Sequence, residues 1–467
     1  MDTLLPEDVR SAPSLIPPTP KVHQRPLGGS VLGDARIAWE MGRNLIGAWS
    51  EADFDSLVTP YRFMGQAGLV VSDPAGVRHV LTSPTYRRPV KVGRPLRPLV
   101  GEGLLLSEGE TWKRQRKSLA PVFTPAAIGG LVPHFAAAGA DLVERLAGQD
   151  RANLSEAFHH AALDAVLRAL FSRSAATDGA TLAEIARRYV DGPAHFRMLD
   201  FIGRGVDDLT FADGDRRRLG GRWLTAVDTI VAERRAAPHP EGRDLLDRLL
   251  AARDEDGAPL PDQEIRDQCS SMLAAGFETT SRLLFWAVYL LALDPVTQDR
   301  VRAEVLAFPA EHATSLDDLK AWPLLRSVLF ETLRLYPPAP TFGREALVDD
   351  VVLGHPIPAG GMVTISPWLI HRHRKLWDAP AAFRPDRFID QPHPWGHEAF
   401  IPFGAGPRVC IGAGFALAEA QIILASLLGR FRIAMAGDRP VLPKASITLG
   451  PDHEPDFQLS PIVQARP

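Results

Sequence analysis

Residues 403–416 read FGAGPRVCIGAGFA, and this stretch decides how the rest of the chain is read. Cys410, one of only two cysteines, stands between Gly404 and Gly406 on one side and Gly412 and Gly414 on the other. A structural cysteine usually sits within an apolar helix or strand, whereas this one falls in a turn. Glycines there open backbone conformations closed to other residues and let the chain approach something bulky and flat. The following residues, 415–425, are strong helix formers, so Cys410 comes just ahead of a helix N-terminus. Free amide N–H groups and the helix dipole favour negative charge at that place. The pattern predicts a thiolate, the form of cysteine that binds metals or attacks electrophiles.

Several chemistries use a thiolate. A nucleophile needs a base, and the nearest upstream histidine, His397, cannot be placed from sequence. A zinc site needs further ligands at short spacing, and no Cys-x-x-Cys or Cys/His cluster surrounds Cys410. A dinucleotide fingerprint fails because Gly404-Ala-Gly406 is followed by Pro407-Arg408-Val409, with no strand leading in. A single thiolate bound to a macrocyclic iron needs no second protein ligand, and Arg408 then neutralises an acidic edge of the macrocycle.

Phe403, Gly406, Arg408, Cys410 and Gly412 match Phe-x-x-Gly-x-Arg-x-Cys-x-Gly. In this the chain resembles the haem-binding loop of the cytochrome P-450 superfamily. The resemblance implies a mainly α fold with a small β-rich region, in which haem b (iron protoporphyrin IX) lies between a long distal helix and the helix after the cysteine loop. Cys410 is then the axial ligand, and Phe403, Gly404, Arg408 and Gly412 contact the cofactor. Trp112 and Arg116, four apart and so on one helix face, match the family's propionate-binding pair. Arg344 falls where members place another propionate-binding arginine.

A second match lies in 261–293, a long helical pattern interrupted by Ala274-Ala-Gly-Phe-Glu-Thr-Thr-Ser. Glycine and adjacent threonines each cost roughly 0.5–1 kcal/mol in a helix, and such a local lapse marks a functional site. Gly276 leaves room for a flat cofactor and a diatomic, and a threonine hydroxyl bonds back to a carbonyl four residues earlier. Residues 275–280 fit the family's Ala/Gly-Gly-x-Asp/Glu-Thr-Thr signature, with Glu in place of the commoner Asp. By that match Ala275 and Gly276 line the cofactor, Thr279 hydrogen-bonds dioxygen and Glu278 relays protons. Cys269, in the same helix, reads as a small buried hydrophobe.

Glu331 and Arg334 are three apart on one helix, and Arg387 follows in Phe-Arg-Pro-Asp-Arg-Phe. In the family these form a buried charge network that fixes the cysteine loop. His371 and His373 read as scaffold histidines. The substrate pocket is expected from Leu99, Leu104, Met272, Ala275, Pro340, Phe342 and Leu449, all apolar, which points to a lipophilic substrate. Residues 95–106 form the loop over it, and 184–235 the helical lid.

The reading is a haem-thiolate monooxygenase that hydroxylates or epoxidises a fatty acid, terpenoid or aromatic. A peroxide-driven peroxygenase and a non-catalytic haem sensor stand as alternatives. Nothing like a flavin, nicotinamide or iron–sulfur domain is recognisable, so electrons from NAD(P)H arrive through a separate ferredoxin or flavodoxin with its reductase. Lys113 and Lys117 are candidate docking residues for such a partner. The 467 residues are 45% hydrophobic and 23% charged with a net charge of −4, which suits a soluble protein and gives no sign of nucleic-acid binding. The longest apolar run, 283–293, is too short to span a bilayer, and residues 1–15 carry four charges. A single-domain cytoplasmic monomer is expected, with 1–30 as a proline-rich arm, a helix over 31–50, and strands near 61–72 and 351–366.

Overall fold

The computed structural model describes residues 15–23, 31–89, 93–190, 192–195, 200, 213–238, 244–253, 257–389 and 397–462. Most of the proline-rich arm and the middle of the expected lid lie outside these residues.

Among the described residues twelve strands and fifteen α-helices form, and ten of the helices set the frame. The first helix, α1 (Val31–Arg43), is shorter than expected. Asn44 turns extended at φ −159°, because its side chain leaves the helix to bond the Pro443 carbonyl and the Ala445 N–H. Strands β1 (Val58–Phe63) and β2 (Gln66–Val71) then form a hairpin. Asp73 caps α2 (Pro74–Thr82), accepting from the Ala75 and Gly76 N–H groups, with proline in the first turn. After β3 (Tyr86–Arg87) come α3 (Gly109–Leu119), α4 (Val132–Leu146), β4 (Arg151–Ala152) and α5 (Leu154–Phe171). Next are α6 (Ala175–Val190), α7 (Gly214–Ala236), α8 (Asp262–Leu293) and α9 (Pro323–Leu335). Strands β5 (Phe342–Ala346), β6 (Asp350–Val352), β7 (His355–Ile357) and β8 (Met362–Ile365) follow. The chain then enters α10 (Ala413–Leu428), and closes with β9 (Phe431–Met435), β10 (Pro443–Ala445), β11 (Leu449–Pro451) and β12 (Phe457–Pro461).

The two strand regions expected separately share one sheet, ordered β1-β2-β8-β5-β3. β2 and β8 run parallel, with Gly68 opposite Met362 and Val70 opposite Thr364. β2 is buried from Gly68 to Val71, whereas β8 alternates, with Val363 and Ile365 buried.

The long helix α8 is apolar on nearly every side and runs through the core. It packs against α5, which is buried except along Glu156, His160 and Arg168. From Asp267 to Leu291 every residue of α8 is buried except Ala274, Ala275, Gly276 and Thr279. Those four therefore mark a recess inside the fold. Helix α10 crosses α8 near this place, where Thr280 Oγ1 stands 3.1 Å from Glu419 Oε2. No helix among the described residues is long and apolar enough to cross a membrane.

Candidate functional site

The cysteine loop is shaped by backbone rather than side chains. Gly404 and Gly406 adopt φ of +73° and +70°. At Gly406 a Cβ would also sit 2.5 Å from the Leu81 carbonyl oxygen, so glycine is required both for conformation and for the close approach of α2. The Cys410 N–H returns to the Phe403 carbonyl at 2.9 Å, closing the loop. Gly412 forms the N-cap of α10.

The thiol differs from the sequence expectation. Burial pushes the Cys410 thiol up, and this outweighs the Gly412 N–H and the Arg116 charge, which both pull it down. Cys410 is exposed by area although its thiol is desolvated by the surrounding loop. A helix N-terminus alone does not make it a thiolate. A metal bound at the sulfur would displace the proton outright.

Around the cysteine stand four arginines. Arg116 donates to the Val409 carbonyl at 2.7 Å. Arg408 donates to the Ser107 carbonyl at 2.8 Å and lies 4.3 Å from the Trp112 ring centre. Glu108 pairs with both Arg408, at 2.6 Å, and Arg88, at 3.1 Å. Burial, then the charge of Arg88, hold Arg344 down to about 10, and the same two causes hold Arg408 down to about 10. Glu108 is the one carboxylate acting against this on both. Four guanidinium groups with so little negative charge among them fit the two carboxylates on the edge of a haem, with Cys410 supplying the soft ligand beneath. Arg88 and Glu108 were not singled out in the sequence, since neither belongs to a motif.

Behind the loop lies the expected charge network. Glu331 and Arg334, both fully buried, pair at 2.7 Å, and Arg387 Nε reaches Glu331 at 3.1 Å. Arg334 also donates to the carbonyls of His371, Pro380 and Ala382, and Glu331 accepts the Arg384 N–H. His371 completes the tie. Its Nδ1 faces the Arg334 carbonyl at 3.2 Å, and its Nε2 accepts the Ile401 N–H at 2.9 Å, just ahead of the cysteine loop. Burial first, then the charges of Arg334 and Arg372, hold the ring well below its ordinary range, which suits a neutral acceptor. Among the described residues no cluster could hold a metal by histidine, cysteine and carboxylate together.

On α8, Thr279 Oγ1 donates to the Ala275 carbonyl at 2.8 Å and Thr280 Oγ1 to that of Gly276 at 3.0 Å. A Cβ on Gly276 would meet Val166 of α5 at 3.0 Å, so this glycine also serves the packing of α8 on α5. Glu278 points away from the recess. Arg282 Nε and Thr448 Oγ1 both donate to its Oε1 at 2.9 Å, and His159 Nε2 lies 2.9 Å from its Oε2. Burial raises the Glu278 carboxyl, but the charges of Arg282 and His159 outweigh it and hold the group well below the usual carboxylate range.

Glu419 behaves oppositely: burial pushes it well above the usual range, and Thr280 is its one hydrogen-bond partner among the described residues. Thr280 Oγ1 donates to Glu419 Oε2 at 3.1 Å and shares the same proton with the Gly276 carbonyl at 3.0 Å. A lone carboxyl in the apolar run FALAEAQIILASLL was a signal for it. Cys269 is fully buried with its thiol pushed up by desolvation, as expected for a core residue.

Of the pocket candidates, Ala275 and Phe342 are half-buried, Leu104 and Met272 nearly buried, and Leu99 and Leu449 wholly within the core. Pro340 is buried, its carbonyl accepting the Ser366 hydroxyl. The loop over the recess is clasped to α8. Ser270 and Ser271 donate to the Leu99 and Val100 carbonyls, Asp267 accepts the Glu102 N–H, and Gln268 accepts the Leu104 N–H. Gly101, at φ +56°, and Gly103 have no room for a Cβ against Asp267 and Ser271.

A family model described as cytochrome P-450 matches residues 54–453. The chain is 33% identical over 382 residues to a cytokinin hydroxylase of Arabidopsis thaliana, covering 78% of this chain and 73% of the relative. To human cytochrome P-450 4F12 it is 32% identical, covering 73% and 70% of the two chains. A Mycobacterium bovis protein numbered cytochrome P-450 132 is 29% identical, covering 89% and 92%.

Proposed function

The chain belongs to the cytochrome P-450 family and is a haem-b monooxygenase, and within that class we propose that it oxidises a lipophilic molecule at the recess between Cys410 and Thr279. The observation that carries this reading is the partly exposed stripe Ala274, Ala275, Gly276 and Thr279 in an otherwise buried stretch of α8, together with a cysteine loop that Arg116 and Arg408 hold. Relatives named for hydroxylation support the reaction class.

Cys410 would hold the iron, and Arg88, Arg116, Arg344, Arg408 and Trp112 would hold the propionates. When bound, the haem supplies oxygen activation, favoured by electron donation from the thiolate. The rest falls to the chain. Gly404 and Gly406 fix where the sulfur points, and the Glu331–Arg334–Arg387 network, with His371, holds that loop from behind. Thr279 presents a hydroxyl at the recess, and Glu278, one residue earlier, carries protons to it. Leu104, Met272, Ala275, Pro340 and Phe342 exclude water and receive an aliphatic, terpenoid or aromatic skeleton. The sheet pairing of residues 68–70 with 362–364 supports treating the chain as one domain.

Electrons enter from a separate ferredoxin or flavodoxin. A groove of about 740 Å³ between α2 and the cysteine loop, bordered by Arg78, Leu81, Phe403 and Val409, offers a docking place. Lys113, paired with Glu110, and Lys117 stand exposed on the neighbouring α3.

The ferrous carbonyl complex tests the assignment. The wild type should give the red-shifted thiolate absorption and Cys410→Ser should lose it; retention of that band in the variant would overturn Cys410 as ligand. Spectral titration of the ferric protein with fatty acids, terpenoids and aromatics would identify the substrate class, and no response to any of them would remove the lipophile reading.

A further inference from the structure

His159 lies on α5, far from every motif, yet it makes the closest contact to Glu278 from outside α8 and the C-terminal turn. Its Nδ1 is 2.8 Å from the Ser155 carbonyl oxygen. A carbonyl only accepts, so Nδ1 carries a proton. Nε2 is 2.9 Å from Glu278 Oε2, and that contact is a hydrogen bond only when one proton lies between the two atoms. The remaining neighbour is the edge of Phe277, its ring centre 6.3 Å away.

We propose that His159 holds the proton that Glu278 carries to Thr279, so that the imidazole both loads the carboxylate and releases it. This rests on reading Glu278 and Thr279 as the proton-delivering pair. Three side chains donate to Glu278: Arg282, Thr448 and His159. Neither a guanidinium nor an alkyl hydroxyl gives up its proton in this range, whereas an imidazolium does. In the transfer the His159 Nε2–H bond breaks and a Glu278 Oε2–H bond forms. The ring is left neutral, with its remaining proton on Nδ1.

The transfer also changes what holds Glu278 in place. As a carboxylate it is pinned by two cations on buried ground, where charge attraction is strong. Once protonated it has lost that attraction to Arg282 and can rotate about its own χ angles toward Thr279, the next residue. Both side chains are buried, so the pair is shielded from bulk water. His159 is accordingly a positioning and proton-holding residue that acts through Glu278.

The test uses haem-loaded protein with a surrogate ferredoxin, its reductase and NADPH, and no added organic substrate. The readout is the share of reducing equivalents leaving as hydrogen peroxide rather than water. His159→Phe should raise that share several-fold with the Soret and carbonyl spectra unchanged, and His159→Gln, which keeps one donor, should restore part of the difference. His159→Phe combined with Glu278→Gln should be no worse than Glu278→Gln alone. A peroxide share equal to wild type in His159→Phe, with Glu278→Gln elevated, would sink the inference and leave the Glu278 reading intact. No change in Glu278→Gln would sink both. Independently, ¹⁵N NMR of ring-labelled histidine in the ferrous carbonyl protein should find the His159 Nδ1 protonated, and an unprotonated Nδ1 would remove the argument.

Discussion

Two buried carboxyl groups lie near the Thr279-Thr280 pair and are shifted in opposite directions. Glu278, on the α5 side of the distal helix, is ionised because Arg282 and His159 outweigh the cost of burial. Glu419, on the α10 side, is just as buried but has only the Thr280 hydroxyl, and burial wins. The difference teaches that depth does not decide the charge of a buried acid; the count of cationic donors around it does. Glu331, wholly buried, is also held by two guanidinium groups, those of Arg334 and Arg387. Helix α8 thus meets a carboxyl raised by burial on one face and a carboxyl lowered by cations on the other.

The strongest way to break the comparison is to take a cation from the most buried acid. Arg334→Ala should cost on the order of 3–5 kcal/mol, since Glu331 is left as an uncompensated charge. Chemical denaturation of the haem-loaded protein would show this as a large fall in midpoint, and a loss below about 1 kcal/mol would mean that Arg387 and the backbone suffice. Next, Arg282→Met leaves Glu278 with His159 and Thr448. It should destabilise by about 1–3 kcal/mol, the range for a buried group deprived of a charged hydrogen bond, and should move Glu278 toward the behaviour of Glu419.

The pH dependence sharpens the contrast because the signs are opposite. Glu278 has a folded pKa below its ordinary 4.5, so the unfolded chain binds its proton first. Its stabilisation is complete above that value and is lost as pH falls toward the folded pKa. Relative to Glu278→Gln, the wild type should lose its advantage on acidification. Glu419 has a folded pKa raised above 4.5, so the folded chain holds the proton longer and stability declines as pH rises through that window. Glu419→Gln should therefore be more stable than wild type at pH 8, with the gap closing toward pH 4. Parallel slopes in the two variants would refute the assignment. The smallest effect is expected from Thr280→Val, about 1 kcal/mol for one hydrogen bond, measured as a shift in thermal midpoint.

What the sequence made legible was whatever is local. The glycines around Cys410, the Thr-Thr pair inside a strong helix, and the Glu-x-x-Arg spacing each lie within a few residues of their partners. What it hid was non-local. His159 reaches Glu278 across 119 positions and Thr448 reaches it across 170, and no periodicity in either segment announces the contact. The Cys410 thiol shows the same limit: the helix N-terminus is visible in sequence, but the desolvation that opposes it comes from atoms spread over the fold. The shared sheet was missed likewise, because its halves lie at opposite ends of the chain, and parallel pairing leaves no turn signal between them.

The clasp between loop 99–104 and the distal helix makes those two segments a single inherited unit. Asp267, Gln268, Ser270 and Ser271 are written in the helix, yet they dictate the path of a backbone more than 160 positions earlier. A loop grafted here from another protein would arrive without its fastenings, and a helix redesigned for a new ligand would drop the roof above it. Retailoring this enzyme means recutting both pieces of cloth together.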